Sequence, residues 1–239
     1  MKFRSVLLAS MASLLTIGQS SAMGLRSFVA LPVDKGGSVL RFLSDYNFDT
    51  NTNVLITSGA YGLSGTQTLL FGLPYRLSSS GDNRLSDFSA LYRQTLWQND
   101  TAGGTNRLAF LGGFVIATNS KRDSAAQAGF VFTHFKDRHE IDINALYQKG
   151  FDNRNDSGRY DISWQYRVNP KVLPDWGLTD EIYSVLEFNG RWKQGNRTSQ
   201  QITAGISWVK PKWVIEGGLV KELNNQEGTH LVLSARFHF

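Results

Sequence analysis

The chain has 239 residues, no cysteine and a formal net charge of +5, which becomes 5 − 2 = +3 without Lys2 and Arg4. The absence of cysteine excludes disulfides and thiolate metal sites. The basic residues are scattered and form no patch, so we expect no nucleic-acid partner. The 23 Gly, 15 Phe, 8 Tyr and 6 Trp against only 5 Pro favour strands and tight turns over helices.

Residues 1–22 have the layout of a secretory signal peptide. Two basic residues precede an apolar stretch at 6–18, and the small residues at 20–22 suit a signal peptidase. The apolar stretch is too short to span a bilayer as a helix. We therefore expect cleavage after Ala22 and export to the outer membrane of a Gram-negative bacterium. Residues 23–37 are then expected to form an N-terminal periplasmic segment, and the sequence leaves open whether residues 23–35 fold inward as a plug.

Alternating segments of about ten residues recur from residue 38 onward, separated by turn-forming residues, as in a transmembrane β-barrel. A closed barrel suits a chain in lipid because it pairs every backbone polar group. The sequence predicts an all-β fold, an antiparallel transmembrane β-barrel of about 12 strands over residues 38–239. The predicted strands are 38–48, 53–62, 66–77, 86–97, 106–117, 125–136, 138–149, 158–168, 180–193, 200–209, 211–221 and 229–239.

Side-chain alternation assigns faces in several of these segments. Near residue 160, Ile162 and Trp164 share one face, while Asp161 and Ser163 share the other. The segment 125–136 carries large apolar residues on both faces and is ambiguous. Aromatic residues fall often at strand ends, where interfacial girdles lie. These residues are Tyr46, Phe48, Tyr75, Trp97, Tyr166, Trp192, Trp208 and Trp213.

Short and long connections largely alternate along the chain. Transmembrane barrels have short periplasmic turns and longer external loops, so this alternation places both termini in the periplasm. Two connections break the pattern: 99–105 and 169–179 are predicted to be periplasmic, and yet both are long.

The last ten residues form an amphipathic strand that ends on an aromatic residue. One face carries Leu233, Phe237 and Phe239, and the other carries Ser234 and Arg236. We expect this strand to close the barrel against 38–48 and its apolar face to be an assembly signal. The expected partners are the outer-membrane assembly machinery, outer-membrane lipid and lipopolysaccharide.

The chain resembles the outer-membrane proteins grouped under the meta-pathway of phenol degradation, which are described as transporters. The resemblance rests on Tyr61-Gly62-Leu63-Ser64, on residues 68–76 (Thr-Leu-Leu-Phe-Gly-Leu-Pro-Tyr-Arg), on Leu85-Ser86-Asp87-Phe88 and on Leu111-Gly112-Gly113-Phe114 with Ala117-Thr118-Asn119. Gly-Asp is usual in the third motif and Pro-Thr-Gly in the last, and this chain departs from both. The resemblance implies uptake of small molecules, including aromatic or hydrophobic compounds, and no catalytic residues.

Charged residues of both signs fall on the polar faces, and we expect them to line the lumen. They are Arg41, Asp45, Asp87, Arg93, Arg107, Glu140, Asp142, Asp161, Arg167, Glu187, Arg191, Glu216 and Arg236. One hypothesis is a channel or passive transporter whose charged rings tune the passage of a small-molecule solute. The alternative is a closed barrel, filled by ion pairs, with a structural or surface-interaction role. In either case we expect a monomer.

An outer-membrane hydrolase is a minor alternative. It would need a serine beside one of the four histidines, His134, His139, His230 and His238, and no Gly-x-Ser-x-Gly motif is present. The oxygen-rich stretch 152–158 lacks the glutamate of a calcium loop. We therefore predict no catalytic residues, no cofactor and no metal site.

Overall fold

The computed structural model describes residues 24–78, 84–173, 180–224 and 228–239, and within them no helix is long and apolar enough to cross a membrane. The predicted signal peptide and parts of three connections lie outside these ranges. The described strands are β1 (Ser38–Asn47), β2 (Thr52–Ser64), β3 (Gln67–Arg76), β4 (Phe88–Thr101), β5 (Gly104–Ile116), β6 (Ala125–Lys136), β7 (His139–Gly150), β8 (Ser157–Asn169), β9 (Glu181–Lys193), β10 (Ser199–Val209), β11 (Trp213–Glu222) and β12 (Thr229–His238).

The twelve strands form one closed antiparallel barrel, which confirms the predicted fold class. Each strand pairs with its neighbours in sequence, and β1 pairs with β12 to close the sheet. At the end of this seam the Ser38 amide donates to the Phe239 carbonyl at 3.0 Å, and the Phe239 amide donates back at 2.9 Å. Closure leaves no edge strand, so the ladder pairs the strand backbones without help from solvent.

The connection at 99–105, expected to be long, is instead a tight turn at Ala102-Gly103. The strands β4 and β5 extend to Thr101 and Gly104, which pair with each other across the turn. Gly103 has a φ of +82°, a left-handed conformation that glycine adopts without strain. Polar residues near the turn made it look like a loop, whereas their backbones continue the ladder.

The outer face of the barrel is apolar. Large side chains that alternate with the buried ones are exposed around the wall, among them Phe114, Phe130, Ile162, Leu186, Ile206, Ile215, Leu219 and Leu233. The ambiguous strand β6 is resolved here: Phe130 faces outward, and Val131 and Thr133 are fully buried on the inner face. This arrangement is the one that lipid requires of a transmembrane barrel.

Aromatic side chains gather near both ends of the outer wall. Close to the chain termini, Trp208 and Trp213 meet edge to face at 5.0 Å, and Lys210 lies over both rings. Toward the opposite end, Tyr147 and Trp192 lie 5.9 Å apart. We call the two ends of the barrel the termini end and the loop end. Aromatic contacts of this kind are typical of interfacial girdles.

Residues 24–33, which we call the N-terminal segment, lie inside the barrel. Their backbone and side chains contact inner-face residues of strands all around the wall, from Asp45 on β1 to Thr133 on β6 and Gln201 on β10. Only a segment in the lumen can reach all of these strands. The sequence predicted a periplasmic segment at 23–37 and left open whether it folds inward, and the described residues from Gly24 to Val33 lie within the barrel.

The seam between β1 and β12 yields a test of the last residue. We expect deletion of Phe239 to lower the amount of assembled barrel, because it removes both the aromatic ring and the terminal pair of seam hydrogen bonds. The measurement is the fraction of membrane protein with heat-modifiable gel mobility. Phe239→Ala is the matched control, since it keeps the backbone pair. Equal assembly of all three chains would contradict a role for this residue.

Candidate functional site in the barrel lumen

The N-terminal segment begins with an apolar anchor, Leu25. Its fully buried side chain packs with Leu43, Val185, Val220 and Val232, which point inward from four strands. Two glycines make the space for it, since a Cβ atom at Gly205 or Gly218 would lie 2.6 or 2.7 Å from the Leu25 Cδ1 atom. The wall of β10 and β11 is therefore shaped to receive this leucine.

A second apolar group holds the middle of the segment. Ala30 is fully buried among inward-facing side chains of β3 to β7, and Phe28 packs against the same cluster. The wall residues of this cluster are Leu70, Leu91, Ala109, Leu111, Val131 and Leu146. The guanidinium of Arg159 lies 4.6 Å from the centre of the Phe28 ring, which adds a cation–π contact.

Polar side chains of the wall satisfy the backbone of the segment. The carboxylate of Glu187 accepts the Arg26 N–H at 3.0 Å, and the hydroxyl of Thr133 accepts the Ala30 N–H at 2.8 Å. Three arginines donate to carbonyls of the segment: Arg41 to Leu25 at 2.7 Å, Arg159 to Arg26 at 2.6 Å and Arg93 to Val29 at 2.6 Å. Each buried amide needs such a partner, because this segment joins no ladder.

Two buried acids each bind a pair of arginines on the inner face. Asp161 accepts from Arg159 at 2.7 Å and from Arg191 at 2.6 Å. Glu216 binds Arg41 at 2.8 Å and also binds Arg236. Hydrogen-bonded pairs of this kind are the arrangement in which buried charges are tolerated. Arg159 lies on the same strand as Asp161, whereas the other three pairs join different strands of the wall.

Asp45 is the centre of a third cluster, nearer the loop end. It accepts from the guanidinium of Arg26 and from the ring of His230, at 2.6 and 2.7 Å. The same guanidinium donates to the side-chain carbonyl of Gln201 at 2.6 Å, and Gln201 donates to Glu222 at 2.8 Å. This cluster binds the Arg26 side chain, whereas most of the other polar contacts bind the backbone of the segment.

The structure places the predicted lumen residues as follows. Fully or nearly fully buried on the inner face are Arg93, Glu140, Asp142, Asp161, Arg167, Glu187, Glu216 and Arg236. Arg41, Asp45, Arg107 and Arg191 lie on the same face and are partly exposed. Asp87 differs, because it precedes β4 in a connection at the loop end. Whether any of them lines a path for solute stays a prediction.

Asp87 joins three connections at the loop end. It binds Arg122 at 2.9 Å and Arg154 at 2.6 Å, from the two connections that follow. In the second of these, Asp156 accepts from the Tyr147 hydroxyl at 2.6 Å and from the Lys149 ammonium at 3.0 Å. The hydrogen bond from Tyr147, followed by that from Lys149, lowers the pKa of Asp156 below its usual value. The connections are therefore mutually braced.

The middle of the lumen is closed to water. Asp142, Asp161, Ser163, Thr203 and Arg236 all have no accessible surface. A side chain of the wall is inaccessible only when no water-sized space lies beside it. The N-terminal segment and the ion-paired side chains together fill the section of the barrel that these residues occupy.

Several residues of this site escaped the sequence analysis. Thr68 and Thr133 bind the segment through their hydroxyls, and Leu25 and Phe28 provide its apolar contacts. The alternation pattern assigned neither threonine to a face, because the segment 125–136 was ambiguous and 66–77 was not divided into faces, and it carries no information about what a hydroxyl binds. One signal in the sequence does point to such a segment: apolar residues, such as Leu111, fall on the inner face of a lumen expected to be polar.

Three of the four histidines take part in other contacts. His134 bonds Asn106 at 2.6 Å, His230 bonds Asp45, and His139 stacks on Trp164. Within the described ranges, no hydrogen bond joins a serine hydroxyl to any histidine.

No protein-family model and no curated protein matches the chain. The solved structures that are similar in fold include the following two. An outer-membrane channel from Pseudomonas putida F1 superimposes with a TM-score of 0.55 at 15% identity, covering 88% of this chain and 98% of the other. The KdgM porin gives a TM-score of 0.54 at 10% identity, covering 84% and 99%. The chain therefore has the fold of an outer-membrane β-barrel.

The pairing of Asp161 with two arginines predicts a large stability effect. We expect Asp161→Asn to lower the free energy of unfolding by about 1.5–3 kcal/mol, because the partly exposed guanidinium groups of Arg159 and Arg191 lose the buried carboxylate that binds both. Urea titration of the barrel in lipid vesicles measures this. Asp180→Asn is the control, since its pair with Lys210 is solvent-exposed and contributes about 1 kcal/mol or less. Equal effects would contradict the network.

Proposed function

We propose that this protein is an outer-membrane channel for small molecules and that its N-terminal segment is the gate. The observation that carries the proposal is how the segment is held. It lies in the lumen through side-chain contacts, and the barrel ladder closes without it. Withdrawal of the segment therefore breaks no strand pairing. The segment can therefore leave the lumen while the barrel wall stays folded.

The size of the barrel supports a path once the segment leaves. Barrels of about eight strands are filled by their own side chains, and those of about sixteen enclose a water-filled channel. Twelve strands lie between these cases. In this barrel the difference is made up by residues 24–33, because Leu25, Phe28 and Ala30 occupy space that the wall side chains leave open.

The residues of the inner face indicate which class of solute would suit the lumen. The wall from β3 to β7 presents the apolar cluster around Leu111, whereas β8 to β12 carry most of the buried charges. We infer that small aromatic or hydrophobic compounds with a polar group suit a lumen with these two sides. The resemblance to the phenol meta-pathway proteins points the same way, and the similar solved structures include a channel and a porin.

The second candidate is a closed barrel that does not transport. The paired charges around Asp161 and Glu216 favour it, because they join different strands and fill space. The braced connections around Asp87 would then provide a surface for interaction with other molecules.

For either candidate we propose a monomer in the outer membrane, with both termini in the periplasm. The short connections lie at the termini end, except for residues 170–180, and the longer ones lie at the loop end. Export by a cleaved signal peptide and assembly through Leu233, Phe237 and Phe239 belong to the same proposal. Lipid and lipopolysaccharide would then contact the apolar outer wall.

A disulfide lock tests the gate, because the native chain has no cysteine. The Ala30 amide lies 2.8 Å from the Thr133 hydroxyl, so Ala30→Cys with Thr133→Cys brings two thiols together. In planar bilayers we expect no conductance from the oxidised pair, and reduction to restore the openings of the native protein. A chain that lacks residues 24–33 should conduct steadily. The two single-cysteine variants are the controls.

Two results would count against the proposal. Conductance that is equal before and after reduction would mean that the segment need not move. A folded, heat-modifiable barrel that lacks residues 24–33 and yet stays silent would favour the closed barrel.

Charge selectivity tests the lumen residues. In the chain that lacks residues 24–33, we expect Arg191→Gln or Arg93→Gln to shift the reversal potential toward cation selectivity, because each removes a positive charge from the inner face. Arg122→Gln is the control, since Arg122 lies in a connection at the loop end. An equal shift in the control would place the selective charges outside the lumen.

A further inference from the structure

Arg93 is a buried arginine that binds no acid. Its side chain lies on the inner face of β4 and is only 2% exposed. Two other arginines of the described ranges are buried to a similar degree, and each has a carboxylate partner: Arg167 binds Glu181 and Arg236 binds Glu216. Within the same ranges, the hydrogen bonds of Arg93 go only to uncharged oxygens. A buried charge without a counter-charge is costly.

The N-terminal segment provides one of these uncharged acceptors. The Arg93 Nη1 donates to the Val29 carbonyl at 2.6 Å, and Nη2 donates to the Thr68 hydroxyl at 3.2 Å. The same hydroxyl accepts the Val33 N–H at 3.3 Å. Two bonds to the segment therefore meet at one pair of wall side chains, and withdrawal of the segment frees both. A carboxylate suits a guanidinium better than a carbonyl does, because it accepts two parallel N–H bonds and neutralises the charge.

Further donors of β4 and β5 lack an acceptor. The Arg93 Nε, the Thr95 hydroxyl and the Arg107 Nε are buried and have no hydrogen-bond partner. Thr95 is the next inner-face residue of β4 after Arg93, and it pairs with Ala109, the inner-face neighbour of Arg107 on β5. The strands β3 to β5 contain one acid, Asp100, which lies at the termini end of β4 and is largely exposed. This part of the wall is therefore positively charged and rich in donors.

An apolar surface adjoins the guanidinium. Leu111 on β5 pairs directly with Arg93, and it belongs to the apolar cluster against which Phe28 packs. The next residue of the segment, Val29, provides the carbonyl oxygen that Arg93 binds. The segment thus offers the wall an aromatic ring followed by an oxygen acceptor. A small aromatic acid carries the same two groups, with a full negative charge on the acceptor.

We propose that Arg93 and Thr68 bind the carboxylate of a small aromatic acid, and that the N-terminal segment imitates this solute when the barrel is closed. The ring of the solute takes the place of Phe28 on the apolar cluster, and its carboxylate takes the place of the Val29 carbonyl. This inference rests on the proposed function, because a solute reaches Arg93 only after the segment withdraws. It adds the charge of the solute and the residues that recognise it.

Competition for the same atoms couples the solute to the gate. A ligand that binds only the released state of the segment increases the population of that state in proportion to its concentration. A ligand without a carboxylate lacks the group that Arg93 prefers, so its effect is weaker. An aromatic acid therefore promotes its own entry into the lumen.

Amide exchange in the full native chain tests this competition. NMR follows the amides of Ala30 and Val33, which bond Thr133 and Thr68 in the closed barrel, in uncharged micelles. The probes are benzoate and benzamide, which is similar in shape and neutral. We expect both exchange rates to rise with benzoate concentration, with a slope about tenfold or more above that for benzamide, since a hydrogen bond to a charged group contributes about 1.5–3 kcal/mol.

Arg93→Gln distinguishes recognition by this residue from a general effect of charge. The variant also loosens the segment, so each slope is divided by the rate without ligand. We expect the ratio of the benzoate slope to the benzamide slope to fall to about one. Arg191→Gln is the matched control and should keep the native ratio, because Arg191 is an inner-face arginine that binds Asp161 near the loop end. Thr68→Val, which should lower the ratio in part, replaces Arg93→Gln if that variant lacks heat-modifiable mobility.

The outcomes separate this site from the channel. Benzoate that releases the segment through Arg93 in a barrel that never conducts would support the site and count against the channel. Equal slopes for benzoate and benzamide in the native chain, no acceleration by benzoate, or a native ratio in Arg93→Gln would each overturn the site. None of these three results depends on whether the barrel conducts in planar bilayers.

Discussion

Closure of the sheet is the constraint on which the rest of this structure depends. In lipid, every strand must pair on both sides, and twelve strands joined through the β1–β12 seam meet that requirement without an edge. The same closure creates a lumen wider than the wall side chains alone can fill. The N-terminal segment fills the space that the wall side chains leave open. It brings Leu25, Phe28 and Ala30 into the space and leaves the ladder intact.

Burial of charge follows from the same geometry. Alternation places every second side chain in the lumen, and once the segment enters, water no longer reaches the middle of the wall. Charged residues there must find partners within the protein. Asp161 and Glu216 do so with two arginines each, and Arg93 and Arg41 are shared with carbonyls of the segment. The ion pairs and the segment are therefore parts of one interdependent packing arrangement.

Period-two alternation made the barrel predictable from the sequence. Twelve segments were expected and twelve strands are present, and β6 has the predicted bounds of 125–136. The lengths of the connections were harder to predict. Polar residues such as Asn99 and Asp100 looked like a loop, but they continue the ladder to a two-residue turn at Ala102-Gly103. Polarity indicates a loop only where the backbone stops pairing, and composition alone does not say where pairing stops.

The N-terminal segment could not be predicted in the same way. It is short, it lies in no strand, and its contacts are with residues such as Thr133 and Glu187 that are far away in sequence. Alternation identified Glu187 as an inner-face residue but gave no reason for it to bind a backbone amide. Gly205 and Gly218 make the socket for Leu25, yet glycines in strands have many causes. The common role of these residues becomes clear only once the barrel is assembled, because its lumen is wide enough to hold the N-terminal segment that they contact.

Amide hydrogen exchange of the barrel in detergent micelles, followed by NMR, tests most directly whether the segment is lodged in the lumen and separable from the wall. The relevant amides are those of Arg26 and Ala30, which donate to Glu187 and Thr133. We expect them to exchange at least about tenfold more slowly than in an unfolded chain, and clearly faster than amides of the surrounding strands. Exchange at the unfolded rate would contradict enclosure, and exchange as slow as that of β6 and β9 would contradict a separable gate.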